Sequence, residues 1–587
     1  MKKSLYYCLS LTLLFSTLLL TACAQQSRNP ADVESRIKQV EENLLPAVQV
    51  EGQAPMNLKD RMAHHRVPGV SVAVVRNYEI EWARAYGFAD VESKRPVTTE
   101  TLFQAASISK SLNGVGVVKL AQDKKVDLKA DINTYLKSWM FPYDSLSGNK
   151  KISLENLLSH TAGTSVHGFR GYAKGEPVPT LGQILNGQKP ANSAAIRSMF
   201  APDTRVQYSG GGTTITQQIV MDVTGMSYED YMREKVLKPM GMSTSFYKQP
   251  DDVSTSLLAT AYHADGSEVP GKYHTYPEMA AASLWTNPTE LSRYIIETQL
   301  SLQGKSGKVL SKEFTTLRLT PHMGNAALGV FIDEKPDGKY FQHGGANEGF
   351  RCQYFGSMEN GNGVVVMVNS DNGAIIQEVI RSVASVYGWE GFGGEVKKIV
   401  AMSDEQLKPF EGFYQLERDE KTYLNFSVSD HQLVLTQLWD GRRINFSPES
   451  DVDFFCKDFP FPLKFTKSVS GEVTQVLAFN RDVWKKDPNY KPITRTAITL
   501  TSAKLKALEG KYQLQQNKDL YVMITVQDDH LLAKQLWNGE EMTLVAESEL
   551  DFFQKDNPYF PIRFIRGEDG AVKQMVALER DMLDKVE

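Results

Sequence analysis

Two residues near position 110 have the types and spacing of a nucleophilic serine and its base. Ser107 and Lys110 are three residues apart, and this spacing puts both side chains on one face of a helix. An apolar run from Leu112 to Leu120 follows, which predicts a buried helix with Ser107 at its N-terminal end. Burial lowers the pKa of a lysine, and a neutral Lys110 could accept the Ser107 proton. The alternative is a core helix with a capping serine and a lysine that reaches solvent.

The spacing Ser-x-x-Lys is a weak signal alone, because it occurs at four positions in the chain. Ser35 lies in a polar segment, Ser147 in a loop-like composition and Ser245 in a cluster of serine and threonine. An apolar run that would provide a rigid, dry setting follows Ser107. The sequence therefore favours Ser107 as the nucleophile.

Two later segments add a tyrosine and the end of a strand. Tyr208 precedes a glycine-rich run that begins at Gly210. His343 precedes Gly344 and Gly345, where missing side chains would let a substrate backbone lie against the strand. Each segment alone is typical of packing or of a turn. Their order after a Ser-x-x-Lys pair rarely arises by chance.

The elements that would position these residues are strands at both ends of a mostly helical region. Residues 69–75 and a second run that ends near Tyr86 are predicted to pair as strands. Further strands are predicted at 327–332, 350–355 and 363–369, and a helix at 375–386. Because strands flank the helical region, we predict an α+β fold with one antiparallel sheet built from both ends and a helical lobe.

Taken in this order, the motifs resemble those of the serine β-lactamase and penicillin-binding-protein superfamily. The branch is that of class C lactamases, DD-peptidases, D-aminopeptidases and related esterases. The resemblance covers about 60% of the chain, within a predicted hydrolase domain at residues 49–392. Supporting runs lie at 68–74, 157–163 and 284–288.

The resemblance implies a role for each motif. Ser107 would be the acylated nucleophile, Lys110 its base partner, and Tyr208 the group that passes a proton to the leaving group. His343, Gly344 and Gly345 would lie on the substrate-binding strand, and the oxyanion hole would be the N–H groups of Ser107 and Ala346. We interpret His160 as a loop residue without a catalytic role. No cofactor and no metal are expected.

Two departures from the family pattern affect the substrate. Gly210 stands where the usual Tyr-x-Asn motif has its Asn, and His343 replaces the Lys of Lys-Thr-Gly. A neutral His343 would attract a carboxylate less than a fixed ammonium does. We therefore expect an acyl-enzyme hydrolase that acts on a D-amino-acid-containing peptide, amide or ester, such as a cell-wall fragment. A β-lactamase or penicillin-binding DD-carboxypeptidase, and a non-catalytic ligand-binding lipoprotein, are the alternatives.

The N-terminus resembles a bacterial lipoprotein signal. A positive start at Lys2 and Lys3 precedes an apolar run that ends in Leu20-Thr21-Ala22-Cys23. We predict a signal peptide at 1–22, a lipid on Cys23 and a tether at 23–48, which would anchor the protein in the bacterial cell envelope. In a Gram-negative cell this would be the outer membrane. The alternative is a plain secretory signal with a chance cysteine.

The C-terminal third repeats itself. Four segments recur at an offset of 98 or 99 residues, and the first match is residues 411–416 with 509–514. Each copy has short alternating runs and turn signals, so we predict two small antiparallel β-barrels or sandwiches at 404–486 and 503–587, joined by a linker at 487–502. Their role would be to shape or stabilise the enzyme, or to bind ligands.

Composition excludes some partners. The formal net charge of −5 excludes a surface built to neutralise phosphates, so no nucleic-acid partner is expected. Among the four cysteines there is no Cys-x-x-Cys motif, which leaves no zinc signature. Cys352 and Cys456 could form a disulfide in an oxidising compartment or remain buried thiols.

Overall fold

The computed structural model describes residues 30–248, 256–516, 520–536 and 539–586, without the side chains of residues 420 and 421. Within these residues the α-helices are α1 (Pro30–Glu42), α2 (Leu58–His64), α3 (Ser109–Gln122), α4 (Leu154–Leu158), α5 (Leu181–Asn186), α6 (Gly210–Thr224), α7 (Tyr228–Met232), α8 (Lys238–Met240), α9 (Met279–Ala282), α10 (Pro288–Leu302), α11 (Lys312–Leu319), α12 (Ala374–Tyr387), α13 (Asp404–Leu407) and α14 (Ser502–Lys506). Short 3₁₀ turns lie at Ala106–Ile108, Ile132–Thr134, Ser145–Ser147 and Lys408–Phe410, and a π-helical turn at Arg233–Leu237.

The strands fall into one large sheet, two barrels and short pairs. They are β1 (Val48–Val50), β2 (Gly69–Arg76), β3 (Glu79–Asp90), β4 (Arg95–Pro96), β5 (Phe103–Gln104), β6 (Trp285–Thr286), β7 (Phe331–Lys335), β8 (Gly338–Asn347), β9 (Phe350–Ser357), β10 (Gly363–Val368), β11 (Glu395–Lys397), β12 (Gly412–Leu416), β13 (Asp419–Ser429), β14 (Gln432–Gln437), β15 (Arg443–Pro448), β16 (Asp453–Phe455), β17 (Pro462–Lys467), β18 (Val473–Ala478), β19 (Asp482–Lys486), β20 (Gly510–Leu514), β21 (Tyr521–Gln527), β22 (His530–Gln535), β23 (Glu541–Ala546), β24 (Asp551–Gln554), β25 (Asn557–Arg566), β26 (Val572–Ala577) and β27 (Asp581–Lys585).

The chain divides into two compact units. The described residues of the first are 30–44, Pro55–Pro177 and Arg197–Phe392. The second takes Leu45–Ala54, Val178–Ile196 and the described residues from Gly393 onward. The first contains every motif singled out for catalysis, and the second contains the repeats.

The first unit is built on a seven-stranded sheet with the order β4-β3-β2-β10-β9-β8-β7. All its neighbouring strands are antiparallel, and Val70 of β2 lies opposite Val368 of β10. This confirms the prediction of an α+β fold in which both ends of the segment supply one sheet. The alternating valines of β2 and β10 pack against α1 and α12, because strand side chains alternate between the two faces.

The prediction of a strand at residues 327–332 is wrong for residues 327–330. The strand β7 begins at Phe331, and the preceding apolar residues form a turn in which Ala327 N–H donates to Val330 C=O at 2.9 Å. Gly329 in this turn has φ +81°, and a Cβ on it would lie 2.6 Å from the Lys110 carbonyl oxygen. The run is apolar because it is buried against α3.

The prediction of a tether at residues 23–48 is wrong for residues 30–44. Helix α1 buries Ile37 and Val40 in the same core as the sheet, and Ser382 Oγ of α12 donates to the Val40 carbonyl oxygen at 2.8 Å. The first unit therefore includes α1. Cys23 and the predicted signal lie outside the described residues.

The second unit contains two closed antiparallel barrels, β12–β19 and β20–β27. They confirm the predicted duplication, and each repeat is a barrel and not a sandwich. The same buried contact recurs in each: Tyr414 hydroxyl donates to Phe410 C=O at 2.8 Å, and Tyr512 hydroxyl to Leu508 C=O at 2.7 Å. Each barrel is filled by its own apolar core.

Two further observations concern the cysteines and membrane-spanning helices. Cys352 and Cys456 are both buried free thiols. In the part of the chain that the structure describes, no helix combines the length and apolar character needed to cross a bilayer.

Candidate active site

A short 3₁₀ turn holds Ser107 immediately before α3. Ala106, the residue before it, has φ +48°, a conformation that non-glycine residues seldom adopt. Ser109 fixes the turn, because its Oγ donates to the Ala106 carbonyl oxygen at 2.6 Å and accepts from Leu284 N–H at 2.9 Å. The backbone that presents Ser107 is therefore held by a segment far along the chain.

Lys110 lies one turn further along and reaches back to Ser107. Its Nζ is 2.9 Å from Ser107 Oγ and donates to the Ala281 carbonyl oxygen at 2.7 Å. The residue is 3% exposed, and burial lowers the pKa of Lys110 to about 7. A large share of Lys110 is therefore neutral near neutral pH and able to accept a proton.

Tyr208 is the third side chain of the site and lines the same cavity as Ser107 and Lys110. It precedes α6, whose N-terminus is capped by Ser209 Oγ, which accepts from Gly212 N–H at 2.8 Å. Lys110 Nζ lies 5.0 Å from the centre of the tyrosine ring, and the neighbouring Ser107 hydroxyl acts against the rise in the pKa of Tyr208 that burial causes. Burial raises the pKa of Tyr208, so the phenol keeps its proton.

Histidine rings support Tyr208. The His160 ring lies 4.3 Å from it and the His167 ring 5.0 Å. Burial holds the pKa of His160 well below its usual value, and its Nδ1 accepts from Ser209 N–H at 3.3 Å. His160 is thus neutral and packs behind Tyr208, while His167 lines the cavity described below.

Strand β8 lies alongside the turn that carries Ser107. A Cβ on Gly345 would be 2.3 Å from the Ala105 carbonyl oxygen, so only glycine permits this approach. Burial and the nearby Lys110 lower the pKa of His343 to about 3. His343 Nδ1 lies 2.6 Å from the Gly344 carbonyl oxygen, and because a carbonyl only accepts, Nδ1 carries the proton. His343 is therefore neutral.

A cavity of about 760 Å³ joins these residues. Every predicted site residue of the first unit lines it, and these are Ser107, Lys110, Tyr208, His343, Gly345 and Ala346. Other lining residues were not predicted, among them His167, Phe169, Ala281, Gln342, Arg351 and Gln353. Gln342 immediately precedes the histidine-glycine motif, so the motif could have pointed to it, whereas Arg351 is brought there by the pairing of β8 with β9, opposite Ala346. Ala281 contributes its backbone carbonyl oxygen, and because every residue type has one, the sequence does not mark this position.

Within the described residues, one group of side chains has the donor types for a metal ion: His263, Glu348 and Asp371. Asp371 Oδ1 already accepts from Arg351 Nη1 at 2.8 Å and from Gly349 N–H at 2.9 Å. This group is an ion-pair network beside the cavity, and Ser107 is not part of it.

Comparison with known proteins places this geometry in context. A family model described as Beta-lactamase matches residues 56–385. Protein flp of Staphylococcus aureus strain N315 is 24% identical over 318 residues, which are 52% of this chain and 60% of that protein. Unguisins hydrolase ungD' of Aspergillus campestris is 26% identical over 221 residues, 36% of this chain and 40% of that protein.

A solved structure, the octameric penicillin-binding protein homologue from Pyrococcus abyssi, superposes with a TM-score of 0.52 at 20% identity. It covers 73% of this chain and 98% of its own. This similarity shows a shared fold. The chain spans about 60% of the length of the first curated relatives it matches.

Proposed function

The chain belongs to the Beta-lactamase family of serine β-lactamase and penicillin-binding-protein-like hydrolases, and from this premise we propose that it hydrolyses its substrate through an acyl-enzyme on Ser107. The observation that carries the proposal is the 2.9 Å contact between Ser107 Oγ and the Nζ of a fully buried Lys110. Because the pKa of Lys110 is lowered to about 7, the lysine can act as a base at neutral pH.

Acylation uses the three side chains in sequence. Neutral Lys110 takes the Ser107 proton as Oγ attacks the substrate carbonyl carbon. When the tetrahedral intermediate collapses, the bond to the leaving group breaks and the leaving group takes the proton of the Tyr208 hydroxyl. Lys110 then returns its proton to Tyr208. Water repeats the attack on the acyl-Ser107 ester and releases the acid, which restores the serine hydroxyl.

The developing oxyanion is bound by two backbone N–H groups, those of Ser107 and Ala346. Asn347 and Phe350 face each other across the two-residue turn between β8 and β9. In a two-residue hairpin the residues next to the turn, here Asn347 and Phe350, form a hydrogen-bonded pair. Hydrogen-bonded and non-hydrogen-bonded pairs alternate along antiparallel strands, so Ala346 and Arg351 form a non-hydrogen-bonded pair. The N–H of Ala346 therefore turns away from β9, at a position that β7 does not cover.

The substrate class we propose is a D-amino-acid-containing peptide, amide or ester. Neutral His343 supports this choice, because the position that carries a lysine in related motifs offers no fixed positive charge here. Hydrolysis of a β-lactam would need fast deacylation, and Gly210 has no amide side chain to assist it.

Labelling with an active-site probe tests the proposal. A tagged fluorophosphonate or a fluorescent penicillin should label the full chain, and Ser107→Ala should abolish the labelling. Ser147→Ala is the matched control, since Ser147 also begins a Ser-x-x-Lys sequence but its Oγ donates to the Asp144 carbonyl oxygen. Absence of labelling by both probes in folded protein would contradict the proposal. Rapid turnover of nitrocefin would instead favour a β-lactamase.

We also propose that a lipid on Cys23 anchors the protein in the bacterial cell envelope. Radioactive palmitate should be incorporated into the full chain and not into the Cys23→Ser variant. Equal incorporation into both proteins would contradict the anchor.

A further inference from the structure

A line of side chains crosses from β7 to β9 on the face of the sheet that points away from Ser107. Gly345 faces the Ser107 turn, and because strand residues alternate, Gln342 and Gly344 face the other way. Gly344 lies opposite Gln353 in the β8–β9 register. Gln342 and Gln353 nevertheless line the same cavity as Ser107. The cavity therefore continues over β8 at its two glycines.

The hydrogen bonds in this line have a fixed direction. Gln342 Nε2 donates to Asp333 Oδ1 at 3.4 Å, and Gln353 Nε2 donates to Gln342 Oε1 at 2.9 Å. A carboxylate only accepts, so Asp333 requires the N–H side of Gln342 and leaves its oxygen toward Gln353. Gln353 must then present its own oxygen at the far end. The carboxylate thus sets the orientation of Gln342. The Gln342 oxygen, together with the Tyr354 carbonyl oxygen to which Gln353 Nε2 also donates at 3.4 Å, sets that of Gln353.

That last oxygen lies directly over Gly344. A Cβ on Gly344 would be 2.6 Å from Gln353 Oε1, so the glutamine oxygen occupies the space that a side chain at position 344 would fill. Oε1 is a hydrogen-bond acceptor beside the strand predicted to bind substrate. It can accept a hydrogen bond from a group that lies across the strand.

We propose that the Asp333–Gln342–Gln353 chain selects a substrate with an N–H group beyond the scissile bond, that is, a peptide amide or a continuing peptide, over one that ends in a free carboxylate. The inference rests on the proposed acyl-enzyme function and names its substrate class. A carboxylate at this position would place two acceptors face to face, whereas an amide N–H would complete the line of hydrogen bonds.

The charges around this position agree with that selection. His343 is neutral. Arg351 lines the cavity, but its Nη1 is 2.8 Å from the Asp371 carboxylate and donates to the carbonyl oxygens of Asn347 and Phe350 at 2.5 and 2.8 Å. The positive charge of Arg351 is thus balanced by Asp371.

The test compares two peptides that differ in one group, N-acetyl-D-Ala-D-Ala amide and the corresponding acid. Each is titrated against the full chain, and the concentration that halves the rate of fluorophosphonate labelling of Ser107 is measured. The wild-type protein should need roughly tenfold less amide than acid, the size expected for one hydrogen bond.

Three variants locate the effect. Gln353→Met removes the acceptor at similar volume and should bring the ratio of the two concentrations close to one. Asp333→Asn removes the group that fixes the amide orientation and should lower the ratio by a smaller factor. Gln39→Met, a matched change on α1 outside the cavity, should leave it as in the wild type.

Each outcome decides a separate point. If the acid protects as well as the amide, if neither peptide protects, or if the ratio persists in Gln353→Met, the inference is overturned while the acyl-enzyme proposal stands. If Ser107 is not labelled at all, the proposed function fails first and the inference fails with it.

Discussion

The rate of Ser107 acylation should follow the deprotonation of Lys110. The pKa of Lys110 is lowered from 10.5 to about 7 by burial. At pH 7 about half of the lysine is then neutral, whereas a lysine with the ordinary pKa would be neutral in about one molecule in 3000. The labelling rate should be about one tenth of its maximum at pH 6, about half at pH 7, and constant above about pH 8.

The measurement is the pseudo-first-order rate of fluorophosphonate labelling of the full chain between pH 5 and 10, corrected for the signal of Ser107→Ala. Lys110→Arg should lower the rate at pH 8 by about 100-fold or more, because a guanidinium stays charged and cannot accept the proton. Lys119→Arg is the matched control on the same helix, since Lys119 forms an ion pair with Asp123.

Two results would refute this reasoning. A rate that rises in proportion to hydroxide up to pH 10 would mean that Lys110 keeps its ordinary pKa, and so that burial does not prepare it as a base. A rate that Lys110→Arg leaves unchanged would mean that another group takes the Ser107 proton.

Three further predictions concern Glu278, which immediately precedes the helix α9 that carries Ala281, and the site residues Gly345 and Tyr208. Burial raises the pKa of Glu278 to about 8, and among the described residues neither of its carboxylate oxygens has a hydrogen-bond partner. Since the ordinary pKa of a glutamate is near 4.5, the free energy of unfolding should fall as pH rises from about 4.5 to 8. Glu278→Gln should therefore raise the free energy of unfolding, by a margin that grows with pH to at most about 5 kcal/mol at pH 8. The free energy is measured from the urea dependence of Ser107 labelling. An equal margin at pH 5 and pH 8 would contradict this prediction. Gly345→Ala places a Cβ 2.3 Å from the Ala105 carbonyl oxygen and should reduce the rate of Ser107 labelling by about tenfold or more. Gly393→Ala, with open space around it, should leave the rate unchanged. Equal rates in the two variants would argue against close contact of β8 with the turn that carries Ser107. Tyr208→Phe should lower amide hydrolysis by about 100-fold or more while fluorophosphonate labelling changes little, because an amine needs a proton to leave and fluoride does not; parallel losses in both assays would assign Tyr208 to packing.

The sequence predicted the parts of the site that depend on local spacing. Ser107 and Lys110 could be paired because three residues on a helix bring side chains together, and the apolar run after them marked burial. Tyr208 and the histidine-glycine motif could be added from their order along the chain. The antiparallel sheet followed from strands at both ends of the segment, and the barrels from the repeat.

What could not be predicted depends on contacts between distant segments. The carbonyl oxygen of Ala281 holds Lys110, yet any residue type could supply it. The orientation of Gln353 depends on Asp333, which only the pairing of β7, β8 and β9 brings near. The polar composition of α1 favours a tether, and only the packing of Ile37 and Val40 on the core shows that it belongs to the first unit.

The central pairing of β2 with β10 decides when, during synthesis, the site can exist. Val70 lies opposite Val368, so the middle of the sheet closes only after nearly all of the first unit has left the ribosome. Pairing across so long a loop is slow. Ser107 and Lys110 are translated early, while β8, which presses Gly345 against their turn, comes late. A nascent chain therefore carries Ser107 and Lys110 without the strand that packs against their turn, and the candidate site can form only after β8 and β10 have been translated.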